Sequence, residues 1–289
     1  MPTDIIQWFP GHMAKTRRMI TENLKQVDVV IEILDARIPY SSHNPEIMKI
    51  IEQKPMITLL NKASLADPEK TSRFVKKYTA GNRVCLATDC ITGEGMNRIS
   101  PIIKEIMSEK LKRFEEKGMS GRKLRAMVVG IPNVGKSSLI NKISGNKKAK
   151  VENRPGVTVD KQWVSTTLGI DLLDMPGVLW PKFDDRTVGE NLAITGAIKD
   201  TVLEIDTIAL SLVSRLRQMY PALLSERYKL GDISALDELD DYELFRFIGK
   251  KRGFLISGGE INEERTANML LEEFRNGKIG RITIERVYE

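Results

Sequence analysis

The sequence predicts an α/β fold, a parallel sheet with helices on both faces, followed by a mostly helical C-terminal region. Three observations predict it. Two nearly continuous apolar runs, Val27 to Leu34 and Met56 to Leu60, are rich in β-branched residues and alternate with helical patterns, as buried parallel strands do. A third apolar run, Arg125 to Val129, leads into Gly130-Ile-Pro-Asn133-Val-Gly135-Lys136-Ser137, which is GxxxxGKS between a strand and a helical pattern that opens at Ser137. Beyond Trp180-Pro181 the strand signal stops and helical periodicity takes over.

Composition narrows the class. The chain has 289 residues and 41% hydrophobic content, enough for two domains and a large core. Lys and Arg number 45 against 39 Asp and Glu, a net charge of +6, which suits a polyanionic partner as well as plain solubility. Cys85 and Cys90 are the only cysteines and His12 and His43 the only histidines, so neither a disulfide framework nor a zinc site can be assembled. No run approaches the ~18 apolar residues of a membrane span, and the N-terminus has no apolar signal region. The expectation is a soluble cytoplasmic protein with no membrane and no DNA partner.

Taken in order, residues 8–13 read Trp-Phe-Pro-Gly-His-Met, a loop signature ahead of a basic helix from Ala14 to about Gln26. Trp8 and Phe9 either plug a core edge or carry the loop to a ligand. The strand Val27 to Leu34 exits through Asp35-Ala-Arg-Ile-Pro39, and a helix follows from about Pro45 to Glu52. The strand at 56–60 stops at Asn61-Lys62-Ala63-Ser64; then come a helix over about 68–80, a strand at 83–88, a loop from Asp89 to Gly95, and a helix from Met96 to about Lys117. The helix after Lys136 runs to about Ser144 and gives way to a polar basic stretch with Arg154-Pro-Gly-Val-Thr158. Residues 162–168 and 169–173 read as a hairpin, which runs into Asp174-Met-Pro-Gly177, a DxxG at a strand end. Helices are expected at about 185–199, 204–219, 221–229, 239–250 and 263–276, with a last strand at Arg281 to Arg286. This helical part carries basic clusters, Arg215 with Arg217 and Arg246 with Lys250, Lys251 and Arg252, readable as a binding surface or as solvated helix faces.

The chemistry of GxxxxGKS is direct. Its glycines let consecutive backbone N–H groups face phosphates, and the following helix adds its positive N-terminal end. Lys136 then reaches the β- and γ-phosphates, and the Ser137 hydroxyl is placed for Mg²⁺. Together with Thr158, the DxxG and Asn61-Lys-Ala-Ser64, this motif resembles the guanine-nucleotide motifs of translation-factor-related GTPases. Their order is permuted, because the base-reading motif at Asn61 precedes the phosphate loop. With Trp8-Phe-Pro-Gly-His-Met13 and Asp35-Ala-Arg-Ile-Pro39, the chain resembles, over nearly its whole length, the circularly permuted GTPases of bacterial ribosome biogenesis.

The resemblance implies a P-loop GTPase domain over 1–180 and a helical RNA- or ribosome-binding domain over 181–289. It implies that Asn133, Val134, Gly135, Lys136, Ser137 and Ser138 line the phosphates of GTP or GDP, and that Ser137 and Thr158 hold Mg²⁺, with Asp174 holding it through water. Gly177 would offer its N–H to the γ-phosphate. Asn61 and Lys62 would frame the guanine, the Asp89-Cys90-Ile91 turn would meet the base oxygen, and Asn133 would ligate a K⁺ ion in place of an arginine finger. Val178 follows Gly177 where many GTPases have a water-orienting glutamine, and the resemblance offers His12, the histidine of the Phe-Pro-Gly-His motif, as the group that would position the attacking water instead.

One position departs from the pattern: Ser64 stands where the NKxD aspartate is expected, which weakens guanine selectivity unless Asp67 folds back to replace it. The function implied is a GTP-hydrolysing assembly factor that binds the large ribosomal subunit precursor and its rRNA in the GTP state, is stimulated by that subunit and leaves after hydrolysis. The competing readings are a nucleotide-regulated RNA-binding scaffold with incidental hydrolysis and, because of Ser64, an ATPase.

Overall fold

Val29–Asp35 (β1) is buried along its whole length, a burial pattern only a strand covered on both faces can have. The structure, a computed structural model, describes residues 10–51, 54–81, 83–119, 121–144, 162–177, 179, 185–198, 204–231 and 238–287, with side chains for all of these except 10–14 and 162. Met56–Asn61 (β2), Arg83–Ala87 (β3), Leu124–Val129 (β4), Gln162–Ser165 (β5) and Ile170–Asp174 (β6) complete a six-stranded sheet in the order β3-β2-β1-β4-β6-β5. All neighbours are parallel except the hairpin pair β5 and β6, so the otherwise parallel sheet ends in one antiparallel edge.

Period-2 alternation sorts the strand residues onto two faces. Val29, Ile31 and Ile33 join Ala126, Val128, Ile57 and Leu59 on one face, where they meet Ile99–Ile106 (α4) and Lys136–Ser144 (α6) through Ile99, Ile103, Leu139 and Ile140. Val30, Met127 and Val129 face the other way, against Ile20 of Pro10–Leu24 (α1) and Ile47 and Ile51 of Pro45–Ile51 (α2). Leu34 and Leu60 on that second side meet Phe74 of Pro68–Tyr78 (α3).

Three expectations are corrected. The first helix already includes Pro10, ahead of the expected Ala14. His12 is therefore part of a helix backbone, not of a loop. The single helix expected from Met96 to about Lys117 is a short 3₁₀ turn, α4, and a separate Ser108–Glu116 (α5), broken at Met107, whose φ of −98° and ψ of 10° leave the α region. The C-terminal strand does not form. Residues 281–287 run beside the ends of β1 and β2 instead, because their N–H groups are taken by two different loops: Ile282 donates to Leu65 O and Ile284 to Arg37 O.

The helical part consists of Arg186–Ile194 (α7), Ile205–Met219 (α8), Pro221–Tyr228 (α9), Asp241–Lys251 (α10) and Glu263–Arg275 (α11). Asp240 and Glu243 form a reciprocal capping box at α10, and Asn262 caps α11. Ile208, Ala209, Leu212, Val213 and Leu216 make one buried stripe on α8, which packs against α7, α9, α10 and α11. This core is continuous with the α4 and α6 face of the sheet. Among the described residues no helix is long and apolar enough to cross a membrane.

A buried charge cluster ties the two parts. Asp35 takes Arg37 Nε at 2.9 Å and Nη2 at 2.8 Å, and Lys62 Nζ approaches at 2.9 Å. Arg37, 1% exposed, also donates through Nη1 to Arg275 O at 3.2 Å at the end of α11. Removing one partner of such a cluster leaves a buried charge uncompensated, so Arg37→Ala is expected to lower the unfolding free energy by about 3–5 kcal/mol. Guanidinium denaturation of the two proteins measures this, and an unchanged midpoint would show that the contact stabilises nothing.

Candidate nucleotide-binding site

The sheet order reverses between β1 and β4: chain continues to β2 and β3 on one side and to β6 and β5 on the other. Loops leaving the carboxyl ends of strands on either side of such a point diverge and open a crevice. Five loops arrive there, after β1 (Asp35), β2 (Asn61), β3 (Thr88), β4 (Gly130) and β6 (Asp174). They carry every candidate residue assigned from sequence among the described side chains. Thr158 and Val178 lie outside the described residues, as does the His12 side chain.

The phosphate loop is held in shape by Asn61. Its Nδ2 donates to Val134 O at 2.7 Å, and its Oδ1 accepts from Cys90 N–H at 3.1 Å, so one amide locks the phosphate loop to the β3 loop. Gly135, at φ 104°, lies under that amide, and a Cβ there would collide with Asn61 Nδ2. Asn133 adopts φ 60°, a left-handed conformation asparagine tolerates, and its Nδ2 donates to Gly196 O at 2.6 Å, just beyond α7. Cys90 N–H is thus committed to Asn61, and burial, together with the Asp89 charge, pushes the Cys90 thiol up to about 12, which leaves it chemically inert.

Lys136 is buried and donates to Gly130 O at 3.1 Å and Ile131 O at 2.8 Å, bending back over its own loop. Burial lowers its pKa to about 8 against the pull of Asp174. Burial likewise raises Asp174 to about 6 against the attraction of Lys136. Asp174 Oδ1 is buried and has no hydrogen-bond partner among the described residues. Gly177 closes the same corner, since a Cβ there would stand 2.6 Å from Lys136 Nζ and 3.0 Å from Pro132 Cα. A cation that is poorly satisfied, a carboxylate with an orphaned oxygen and the Ser137 hydroxyl at the helix start fit a polyphosphate with a hydrated Mg²⁺. Ser137 would bind the ion directly and Asp174 through water.

On the base side, Lys62 sits at φ 63° with its ammonium on Asp35. Burial lowers its pKa, with Asp35 opposing. Asp67 does not fold back to replace the missing NKxD aspartate. It caps α3 by accepting from Glu69 N–H at 2.9 Å and Lys70 N–H at 3.0 Å, and its other oxygen accepts from Tyr220 OH at 2.9 Å. Ser64 Oγ instead donates to Asp89 Oδ2 at 2.5 Å.

Comparison with known proteins agrees with this geometry. The family model described as 50S ribosome-binding GTPase matches residues 125–229. Ribosome biogenesis GTPase A of Bacillus pumilus is 47% identical over 97% of this chain and 98% of its own length. The chain belongs to the ribosome biogenesis GTPase A family. The Priestia megaterium member is 48% identical over 97% of this chain and 96% of its own length, and mouse mitochondrial ribosome-associated GTPase 1 is 32% identical over 98% and 91%. Two solved structures of YlqF from Thermotoga maritima share the fold: a GDP-bound one with TM-score 0.64 and 25% identity, covering 93% of this chain and 99% of that one, and a GNP-bound one with TM-score 0.63 and 26% identity, covering 94% and 98%.

The family's chemistry is hydrolysis of GTP, with Mg²⁺ as its usual companion ion, so the ATPase alternative is set aside. For this GTPase the sequence reading missed three residues. Asp35 and Arg37 were visible only as part of a motif, and Glu285 carried no signal at all. It accepts from Tyr40 N–H at 2.7 Å and Ser41 N–H at 2.9 Å, from the Ser41 hydroxyl, and from Asn191 Nδ2 at 3.1 Å. An acid at the end of an apolar strand, as Asp35 is, could have been flagged; Glu285 became important only through contacts far away in sequence.

The two displaced pKa values predict proton linkage. Free Asp174 titrates near about 6 and Mg²⁺–nucleotide favours its ionised form, so binding at pH about 5.5 releases a proton. Free Lys136 titrates near about 8 and the phosphates favour its charged form, so binding at pH about 8.5 takes one up. Calorimetry in buffers of different ionisation enthalpy reads the sign, and a sign that does not reverse across pH 7 would refute the assignment of both groups.

Proposed function

We propose that this GTPase assembles the large ribosomal subunit, binding its precursor and rRNA in the GTP state, hydrolysing GTP faster when bound there, and leaving in the GDP state. It acts in the cytoplasm, with the helical region from about residue 181 gripping RNA. The observation that carries the reading is the double attachment of the helical region to the nucleotide crevice. On the phosphate side Asn133 holds Gly196 O; on the base side Arg37 holds the end of α11, while Arg281 donates to Ala66 O and Ala63 O. A change at the γ-phosphate therefore reaches the helices through contacts that already exist, as switch mechanisms require. The 50S ribosome-binding description of the matched family model supports the choice of subunit.

Within this reading Lys136 neutralises the β- and γ-oxygens, and a K⁺ ion held by Asn133 shares that work as charge develops between them. His12 positions the attacking water. Its backbone belongs to α1. Hydrolysis measured with and without large subunits, in potassium and in sodium, tests the whole scheme. Stimulation by subunits and by potassium is expected; rates indifferent to subunits would leave only a scaffold.

Lys136→Ala is expected to abolish productive phosphate binding, since no other side chain of the loop supplies a cation. Asn133→Ala should remove potassium stimulation while nucleotide still binds, as judged by rates in the two salts. His12→Ala should keep GTP affinity and subunit binding and lose ~10²-fold or more of subunit-stimulated turnover, the usual cost of losing a water-positioning group. If affinity and thermal stability fall along with turnover, His12 is structural.

A further inference from the structure

Guanine presents two donors, N1–H and the N2 amino group, on the edge that distinguishes it from adenine, whose N1 is an acceptor. A site that prefers guanine must therefore show that edge acceptors and no donor. Ser64 is a half-buried hydroxyl, and a hydroxyl can be either donor or acceptor. Its surroundings decide which.

Asp89 is 2% exposed and its carboxylate is saturated. Oδ1 accepts from Ile91 N–H at 2.8 Å and Thr92 N–H at 2.9 Å; Oδ2 accepts from Ser64 Oγ at 2.5 Å and Ser64 N–H at 3.3 Å. A carboxylate has about four acceptor sites, so none remains for a ligand. The single proton of Ser64 Oγ is committed inward, and lone pairs are all that the hydroxyl can turn toward the crevice. Burial pushes the Asp89 carboxyl up, but the Ser64 hydroxyl and the backbone N–H groups of Thr92, Ile91 and Ser64 outweigh it and hold the group below the ordinary carboxylate range, so it stays a charged acceptor. The turn carrying Ser64 is itself pinned: Leu65 O accepts from Ile282 N–H, and Arg281 reaches Ala63 O and Ala66 O at 2.9 and 3.0 Å.

We propose that Ser64 and Asp89 together replace the missing NKxD carboxylate: Ser64 Oγ accepts from the donor edge of guanine, and Asp89, without touching the base, fixes that hydroxyl as an acceptor. The proposal rests on the guanine-nucleotide reading of the crevice. Ser64 is the specificity residue and Asp89 a positioning residue. The carboxylate comes from the β3 loop and the hydroxyl from the β2 loop, joined by a hydrogen bond, so a serine at position 64 can still present an acceptor to the base.

Asp89→Asn separates this from a structural role. The N–H donors of Ile91 and Thr92 both require an oxygen, so the amide nitrogen faces Ser64, giving up the longer 3.3 Å contact with Ser64 N–H, and Ser64 Oγ then accepts inward and points its own proton at the base. The polarity of the reading element is inverted with almost no change of shape. Ser64→Ala removes the hydroxyl but leaves Asp89 its three backbone donors, Ser64→Thr keeps the hydroxyl, and Ser64→Asp with Asp89→Ser returns the carboxylate to the base side.

The experiment is displacement of fluorescent GDP by GDP, GTP, ADP and ATP, with melting temperatures recorded alongside. Asp89→Asn and Ser64→Ala are expected to reduce the preference for guanine over adenine nucleotides by about tenfold, the scale set by one hydrogen bond between neutral groups. Ser64→Thr and the double exchange should retain it. Should Asp89→Asn fail to fold, Ser64→Ala against Ser64→Thr carries the test. An unchanged guanine preference in Ser64→Ala overturns the proposal and leaves the GTPase reading intact, whereas failure of the unaltered protein to bind fluorescent GDP overturns both.

Discussion

Asp35 stands at the carboxyl end of the central strand, buried, and holds both Arg37 and Lys62. Burial alone would raise its pKa, yet the two cations overcome that and keep it well below the ordinary range. A charge so placed is tolerated only because its partners are within hydrogen-bond reach, and each partner belongs to a different functional neighbourhood. Lys62 lies in the turn after β2, while Arg37 reaches the carbonyls of Phe274 and Arg275 and stacks on the Phe274 ring with 5.2 Å to its centroid. The geometry of the base side and the seating of the last helix are thereby set by one carboxylate.

The same economy recurs on the phosphate side with neutral groups. Asn61 spends its amide on Val134 O and Cys90 N–H, so the phosphate loop and the β3 loop cannot move independently. Asn133 then joins the loop to Gly196 O. Against this rigid frame, Lys136 and Asp174 are the groups left in electrostatic discomfort, one lowered and the other raised by burial. Perturbed groups inside a well-satisfied scaffold mark where a ligand belongs, because a polyphosphate and a divalent ion supply what each lacks.

Permuting the motif order changes the connections and leaves the crevice as it is. Strands β1 to β3 carry the base-side loops before the chain ever reaches the phosphate loop, yet the parallel pairing of β1 with β4 sets both groups of loops side by side. The helical part therefore follows the DxxG rather than the base-reading loop. Its closing segment returns to pair with that loop all the same, through Ile282 and Arg281.

Much of this was legible in the chain. Continuous β-branched runs marked β1 and β2, because a strand buried on both faces has no polar side to show, and GxxxxGKS between strand and helix marked the phosphate loop, because only glycines admit the close approach that Gly135 makes to Asn61. Helix existence was readable from periodicity, but the break at Met107 was not, since ends depend on caps and packing more than on pattern. A final apolar alternation at 281–286 read as a strand; what decided otherwise was which acceptors lay within reach once the helices had packed. The tertiary structure alone decided that Asp67 caps a helix, that Asp89 lies behind Ser64, and that Glu285 closes on Ser41 across the chain. Residue types and spacings state which groups can bond, whereas the partner each one takes depends on distances that only the folded chain creates.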